Sequence, residues 1–295
     1  MTSNAVTAST FRESALPDKP LIVIESAGTL AGLELKELWN YRELLYFLAW
    51  RDVKIRYKQT LLGVIWVLIQ PVLMTIIFTV FLGMLARVPT GGKPYPLLVY
   101  TGLIPWTFFS SATLGCIYSL VGNANLITKV YFPRILIPTA SIMARLLDLM
   151  VSFVILIGLL LYYRLVVHYP LTLTWNLAAL PFVIILLTFF TLGLGLLISA
   201  LNVRYRDVGV ALPVLIQLWM FTSPVLYLTD LVPAKWRIYY FLNPLAGLIE
   251  GFRASLLGGN LNIISLAISA AATLALLVVG AIFFRRAERS FADVI

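Results

Sequence analysis

The chain alternates between long uncharged apolar stretches and short segments that are rich in Lys and Arg. The first such stretch follows Gln59, after which no charged residue occurs until Arg87. An α-helix rises about 1.5 Å per residue, so about 20 apolar residues cross the hydrocarbon core of a bilayer. The pattern therefore predicts a first transmembrane helix at about residues 60–86.

The same pattern recurs along the rest of the chain. Five further spans are predicted, at about residues 97–121, 135–163, 177–201, 208–228 and 261–284. The segment at about 233–259 differs, because it is rich in Pro and Gly and its apolar runs are too short to cross a membrane. We expect it to form short re-entrant helices on the outer side, between the fifth and sixth spans. The predicted fold is an all-α polytopic membrane protein with six transmembrane helices.

The region before the first span is organised differently. From Leu33 to Trp50, apolar residues recur at spacings of three and four and leave a charged opposite face. This pattern predicts an amphipathic helix that lies on the cytoplasmic surface, because the segment is too short to bury a core alone. The predicted layout is a flexible cytoplasmic arm at 1–30, the interface helix with its basic junction at 31–58, and a transmembrane domain at 59–295.

Composition and charge support the membrane assignment and set its orientation. Of the 295 residues, 61% are hydrophobic and 12% are charged, whereas soluble domains are roughly a quarter charged. The net charge is +9, but the Lys and Arg residues cluster at the ends of the spans, so nucleic acid is not the expected partner. Basic residues mark the cytoplasmic ends of membrane helices. Their distribution predicts that both termini are cytoplasmic.

The sequence lacks the motifs of an enzyme. The GGKP segment at 91–94 is not a phosphate-binding loop, since no glycine precedes it at the required spacing and Pro follows the lysine. No paired carboxylates, histidine cluster or metal-ligand set occurs, which disfavours a membrane glycosyltransferase. A passive channel or secondary transporter is a further alternative, but no internal repeat supports it. The single cysteine, Cys116, excludes a disulfide within the chain.

Two charged pairs occur three residues apart within apolar segments. Arg145 and Asp148 share a helix face in the third span, and Glu250 and Arg253 do so in the outer segment. We interpret both as structural ion pairs. Contact of Arg145 and Asp148 with a substrate is the alternative, because ionisable residues inside a membrane are often functional.

Four segments resemble the ABC-2 type permeases that export polysaccharides. They are RDVKIRYKQTLLGVIWVLIQP at 51–71, NANLITKVYFPRILIP at 123–138, NVRYRDVGVALPVLIQLWMFTSPVLY at 202–227 and NPLAGLIEGFRASLLGG at 243–259. The resemblance implies a homodimer in the bacterial inner membrane, bound to two copies of a separate ATPase subunit that holds ATP and Mg. It implies export of a lipid-linked glycan, such as an O-antigen or capsule precursor. A teichoic-acid-like polymer, a drug or a lipid is the alternative substrate.

A chain without a nucleotide site must receive motion from its ATPase through its cytoplasmic surface. The best candidate is the polar and basic loop between the second and third spans. The loop between the fourth and fifth spans and the amphipathic helix are expected to be secondary contacts. The predicted coupling residues are Asn123, Asn125, Lys129, Tyr131, Arg134, Arg204 and Arg206. An ordinary basic cytoplasmic loop is the alternative interpretation.

A path along which a glycan slides needs aromatic faces and neutral hydrogen-bonding groups. Trp66 and Gln70 are four residues apart in the first span, as are Gln217 and Phe221 in the fifth, so the members of each pair share a face. Tyr227 is expected on the same side, and Trp219 on another. These five residues, Trp66, Gln70, Gln217, Phe221 and Tyr227, are the predicted substrate path. Alternatively, the glutamines bond to neighbouring helices.

Overall fold

The computed structural model describes residues 39–58, 65–170, 175–288 and 291. Within these ranges the chain consists of helices joined by turns and loops, and it contains no β-strand. The α-helices are α1 Arg42–Lys58, α2 Ile65–Phe78, α3 Tyr95–Gly122, α4 Ala124–Lys129, α5 Leu136–Leu165, α6 Leu180–Arg204, α7 Asp207–Phe221, α8 Ala234–Phe241, α9 Pro244–Leu257 and α10 Ile263–Glu288. A π-helix at Thr79–Leu85 prolongs α2, and a 3₁₀ turn at Trp175–Ala179 leads into α6.

Five helical segments in the described ranges are long and apolar enough to cross a membrane: Ile65–Leu85, Tyr95–Gly122, Leu136–Leu165, Trp175–Arg204 and Ile263–Glu288. The predicted fifth span, 208–228, is too long at its C-terminal end. Helix α7 has 15 residues and stops at Phe221, so it measures roughly 22 Å against a hydrocarbon core of about 30 Å. Pro224 explains the stop, because proline lacks an N–H and disfavours a helical residue before it.

Helix α3 is the centre of the bundle. In an 18-residue apolar stretch of α3, 78% of the residues are buried, compared with 11% in a stretch of the same length in α2 and its π-helical extension. It packs against α5, α6 and α9, and its Tyr100 and Phe109 are fully buried. Helices α6 and α10 form a second close contact at Gly193 and Gly280, where a Cβ on Gly280 would lie 2.2 Å from the Gly193 carbonyl oxygen. Helices α2 and α7 are peripheral by comparison.

The buried apolar residues form two clusters. The larger one surrounds α3 and includes Phe190 of α6 and Phe252 of α9. The smaller one, here called the lower core, joins α1 and α4 to the ends of α3, α5, α6 and α10. Its members include Leu48, Ala49, Leu120, Ile127, Phe132, Ile135, Leu136, Val203, Phe284 and Phe291. The short helices α1 and α4 are thus fixed to the bundle by apolar contacts.

Helix α1 differs from the predicted interface helix. It begins at Arg42 and continues through the basic segment to Lys58, so the basic residues belong to the helix and do not follow it. It packs along α5 and buries Leu48 and Ala49, whereas Tyr46 and Phe47 are exposed. The predicted arm at 1–30 and the first residues of the predicted helix lie outside the described residues.

Candidate functional site

The predicted path residues of α2 and α7 occupy exposed, uncharged faces. Trp66 is 55% exposed and Phe221 57% exposed, and Gln70 and Gln217 are exposed as well. Helix α2 packs on α3 and α5, and helix α7 packs on α3 and α6. The fold therefore brings both faces to the flanks of the same central helix. It does not bring the two helices into extensive contact with each other within one chain.

The prediction that Tyr227 continues the face of the fifth span is wrong. Helix α7 has already ended, and Tyr227 lies in the turn that follows. Its hydroxyl donates a hydrogen bond to the Phe221 carbonyl at 3.0 Å and accepts one from the Tyr240 hydroxyl at 3.2 Å. Tyr227 thus connects the end of α7 to α8.

Arg253 holds the turn after α7 in place. Its side chain is only 3% exposed. One guanidinium nitrogen donates to the carbonyls of Pro224 at 2.7 Å and Val225 at 3.0 Å, and weaker contacts at 3.3 Å reach the carbonyls of Leu98 and Tyr227. Glu250, the predicted partner, makes no direct ion-pair contact with Arg253, but the two opposite charges still attract each other. A turn that ends α7 leaves carbonyls without helical partners, and the arginine satisfies them.

Asn243 is a second connection at the same end. Its side-chain oxygen caps α9 by accepting from the Leu245 N–H at 3.1 Å, and it also accepts from the Trp219 indole N–H at 3.1 Å. Its amide nitrogen donates to Ser223 Oγ at 2.9 Å. The sequence signal was available, because Asn directly before Pro244 is typical of a helix N-terminus, but the long-range contacts depend on the fold.

An aromatic cavity of about 470 Å³ lies beside this junction. Trp219, Trp236, Tyr239 and Tyr240 contribute to its wall, together with the neutral polar residues Thr222 and Asn243. Trp219 faces away from Gln217, as expected, and its ring packs edge-on against Phe109 at 5.5 Å. The lining contains no charged side chain.

The opposite end of the bundle holds most of the predicted coupling residues. The loop after α3 forms the short helix α4, which Ile127 and Phe132 attach to the lower core. Asn125 and Lys129 are exposed, and Tyr131 is 82% exposed. Asn123 lies between α3 and α4 and is half-buried, and its side chain donates to the Ser119 carbonyl of α3 at 2.7 Å. Fewer residues of this loop are exposed than the prediction included.

Arg134 does not belong to the free surface. Its guanidinium donates to the Glu288 carbonyl at 2.6 Å, and its backbone N–H donates to the Glu288 carboxylate at 2.8 Å. It joins the start of α5 to the end of α10. Its interactions are therefore structural, whereas Lys129 and Tyr131 are exposed.

The turn between α6 and α7 lies at the same end as α4. Arg204 and Arg206 are exposed, and the Arg204 guanidinium stands 5.5 Å from the Tyr205 ring. Two bonds attach this turn to the last turns of α3: Asn202 donates to the Ile117 carbonyl at 2.9 Å, and Tyr118 donates to the Gly209 carbonyl at 2.6 Å. One surface thus contains both predicted coupling segments.

Asp148 has partners that the sequence did not indicate. The Arg56 guanidinium and the Tyr57 hydroxyl, both at the end of α1, bond to its two carboxylate oxygens. The predicted ion pair with Arg145 is also present, with 3.9 Å between the guanidinium and the carboxylate and no hydrogen bond. Burial raises the pKa of the Tyr57 phenol above its ordinary value, and the hydrogen bond to Asp148 raises it further. Tyr57 therefore remains a donor at neutral pH.

No set of three or more His, Cys, Asp or Glu side chains within the described ranges is arranged to hold a metal ion.

Comparison with known proteins identifies relatives along most of the chain. The model of the ABC-2 type transporter family matches residues 43–257. The "O-antigen export system permease protein RfbA" of Klebsiella pneumoniae is 30% identical over 253 residues, which cover 86% of this chain and 95% of the relative. The protein of that name in Myxococcus xanthus is 30% identical over 75% of this chain and 82% of its own length. The "Polysialic acid transport protein KpsM" of Escherichia coli is 25% identical over 81% of this chain and 92% of its own length.

Proposed function

The chain belongs to the ABC-2 type transporter family, and from this membership we propose that it is the transmembrane subunit of an ATP-driven exporter of a lipid-linked polysaccharide. The observation that carries the proposal is the match to relatives named as O-antigen export permeases over 86% and 75% of this chain. The substrate is a cell-surface glycan of the O-antigen or capsule type, and it moves from the cytoplasmic to the outer side of the inner membrane.

The exposed faces of α2 and α7 line the path of the glycan in this proposal. Sugar rings present C–H groups on their faces and hydroxyls on their edges, so Trp66 and Phe221 supply stacking surfaces while Gln70 and Gln217 supply neutral hydrogen bonds. A glutamine that faces hydrocarbon is costly. A second copy of the chain removes this cost by enclosing these faces in a shared cavity. The homodimer is thus part of the proposal.

The energy comes from two copies of a separate ATPase subunit, which hold ATP and Mg. These subunits dock on the end of the bundle that carries α4 and the turn between α6 and α7. Exposed polar and basic residues in both places support this choice. They are Asn125, Lys129 and Tyr131 in and just after α4, and Arg204 and Arg206 at the turn between α6 and α7. Because α4 is attached to the lower core through Ile127 and Phe132, force on α4 reaches the bundle directly.

The orientation follows from the distribution of basic residues. Both termini are cytoplasmic, and α8 and α9 form a re-entrant pair on the outer side. Single cysteines introduced into a Cys116→Ala background test this orientation. The Lys93→Cys and Arg164→Cys variants should react with an impermeant thiol reagent from outside, whereas Lys129→Cys should not. External labelling at position 129 contradicts the orientation.

Reconstitution tests the transport function. The chain is co-expressed with a candidate ATPase subunit, purified as a complex and placed in proteoliposomes. We expect lipid-linked glycan to stimulate ATP hydrolysis and to appear on the opposite leaflet in an ATP-dependent manner. Stimulation by a lipid or a drug, without any response to the glycan, would assign the chain to the alternative class of substrate. Glycan synthesis by the chain alone would contradict the proposal.

A further inference from the structure

We propose that Asp148, Arg56 and Tyr57, here called the Asp148 joint, fasten α1 to α5 and transmit movement of the lower core to α2. The proposal extends the transport function proposed above by assigning a positioning role to three residues outside the path and the docking surface. The two donors lie at the end of α1, more than 90 residues before their acceptor, so the joint connects elements that are separate in sequence.

Helix α1 extends along α5 up to this joint. Leu48 of α1 and Leu136 of α5 both belong to the lower core. From there, Arg56 is eight residues further along α1, about 12 Å, and Asp148 is 12 residues further along α5, about 18 Å. The long side chain of Arg56 spans the difference between these two distances. The joint therefore holds the C-terminal end of α1 on α5 through polar contacts, and the lower core holds the middle of α1 through apolar contacts.

The joint lies directly before the candidate path. Tyr57 is the second-to-last residue of α1, and the helix α2 that carries Trp66 begins at Ile65. On the C-terminal side of Asp148, 17 residues of α5 remain up to Leu165. They form about 26 Å of helix, which is close to the thickness of the hydrocarbon core. This places the joint near the cytoplasmic boundary of the membrane.

The chemistry of the joint favours a permanent attachment. Tyr57 bonds to one carboxylate oxygen of Asp148 and Arg56 to the other, and the Asp148 side chain is only 13% exposed. Hydrogen bonds to ionised groups are stronger than neutral ones, and partial burial reduces their screening by salt. The ion pair between Arg51 and Asp52 is a natural contrast, because it is local to α1 and more exposed. Loss of that pair leaves α1 attached.

The first arm of the test measures attachment without reference to transport. Ala49 lies on the buried face of α1, so an Ala49→Cys thiol in the Cys116→Ala background reports whether the helix lifts from the bundle. The full complex with its ATPase is labelled with a maleimide in detergent. Asp148→Asn and Arg56→Gln should each increase the labelling rate about tenfold, the factor expected when one charge-assisted hydrogen bond is lost. Asp52→Asn and Arg56→Lys should leave the rate near that of the parent.

The second arm measures transmission. Asp148→Asn and Arg56→Gln should lower the amount of glycan exported per ATP hydrolysed, while basal hydrolysis and co-purification of the ATPase persist. Arg56→Lys should restore coupling, because it keeps the charge opposite Asp148. An unchanged labelling rate would overturn the attachment. Faster labelling with unchanged export per ATP would overturn the transmission. Because the labelling experiment does not involve transport, it tests the attachment of α1 even if the substrate is not a glycan. The attachment and the proposed function can therefore be refuted independently.

Discussion

Replacement of Arg253 by methionine should destabilise the protein strongly, although Arg253 lies outside both the candidate path and the Asp148 joint. The guanidinium satisfies the carbonyls of Pro224 and Val225 at 2.7 and 3.0 Å from a position that is 3% exposed. A buried carbonyl left without its donor costs about 1–3 kcal/mol. Two such carbonyls give an expected loss of about 2–6 kcal/mol, because methionine fills the space without donating a hydrogen bond.

Unfolding by SDS in mixed micelles, followed by tryptophan fluorescence, measures this loss. Arg237→Met is the matched control, since Arg237 lies on the neighbouring helix α8 and reaches its carbonyl acceptors only at 3.4 Å. The control should change the free energy of unfolding by less than about 1 kcal/mol. If Arg253→Met is as stable as Arg237→Met, the turn after α7 is held by other contacts and the reasoning fails.

Three further predictions concern packing, the path and coupling. Gly102→Ala should cost about 1–3 kcal/mol, because its Cβ would lie 2.2 Å from the Val225 carbonyl oxygen, whereas Gly158→Ala, which meets nothing within 4 Å, should be neutral in the same SDS unfolding assay. Gln70→Leu and Gln217→Leu should reduce or shorten the exported glycan, seen by gel analysis, while basal ATP hydrolysis and assembly persist. Lys129→Ala combined with Tyr131→Ala should lower export and glycan-stimulated ATP hydrolysis together, measured in proteoliposomes.

Each of these predictions has a result that contradicts it. Equal stability of the Gly102→Ala and Gly158→Ala proteins would mean that the turn moves away from α3 at little cost. Normal export in both glutamine variants would remove these faces from the path, and loss of assembly would indicate packing against another helix. Normal coupling in the Lys129 and Tyr131 variant would show that the ATPase acts through another surface, such as the turn with Arg204 and Arg206.

The sequence alone identified the helical membrane architecture and most of its spans. The reason is that the length and polarity of an apolar stretch are local properties, and a bilayer selects on them directly. Within the part of the chain that the structure describes, the five helices of spanning length all coincide with predicted spans. The family membership was likewise accessible, because its characteristic segments are contiguous in the chain. Even the early end of α7 had a local signal, Pro224, which the prediction of a span to residue 228 did not take into account.

The hydrogen-bond partners of Asp148 and Arg253 were decided only by the tertiary structure. A spacing of three residues correctly places Arg145 beside Asp148 and Glu250 beside Arg253 on a helix face, but it does not determine what packs against that face. Asp148 bonds to Arg56 and Tyr57 of α1, and Arg253 bonds to carbonyls of a turn that comes before α8. A buried charge is stabilised by the donors or acceptors that surround it in space, and those are fixed by how the helices pack, which no local pattern in the chain contains.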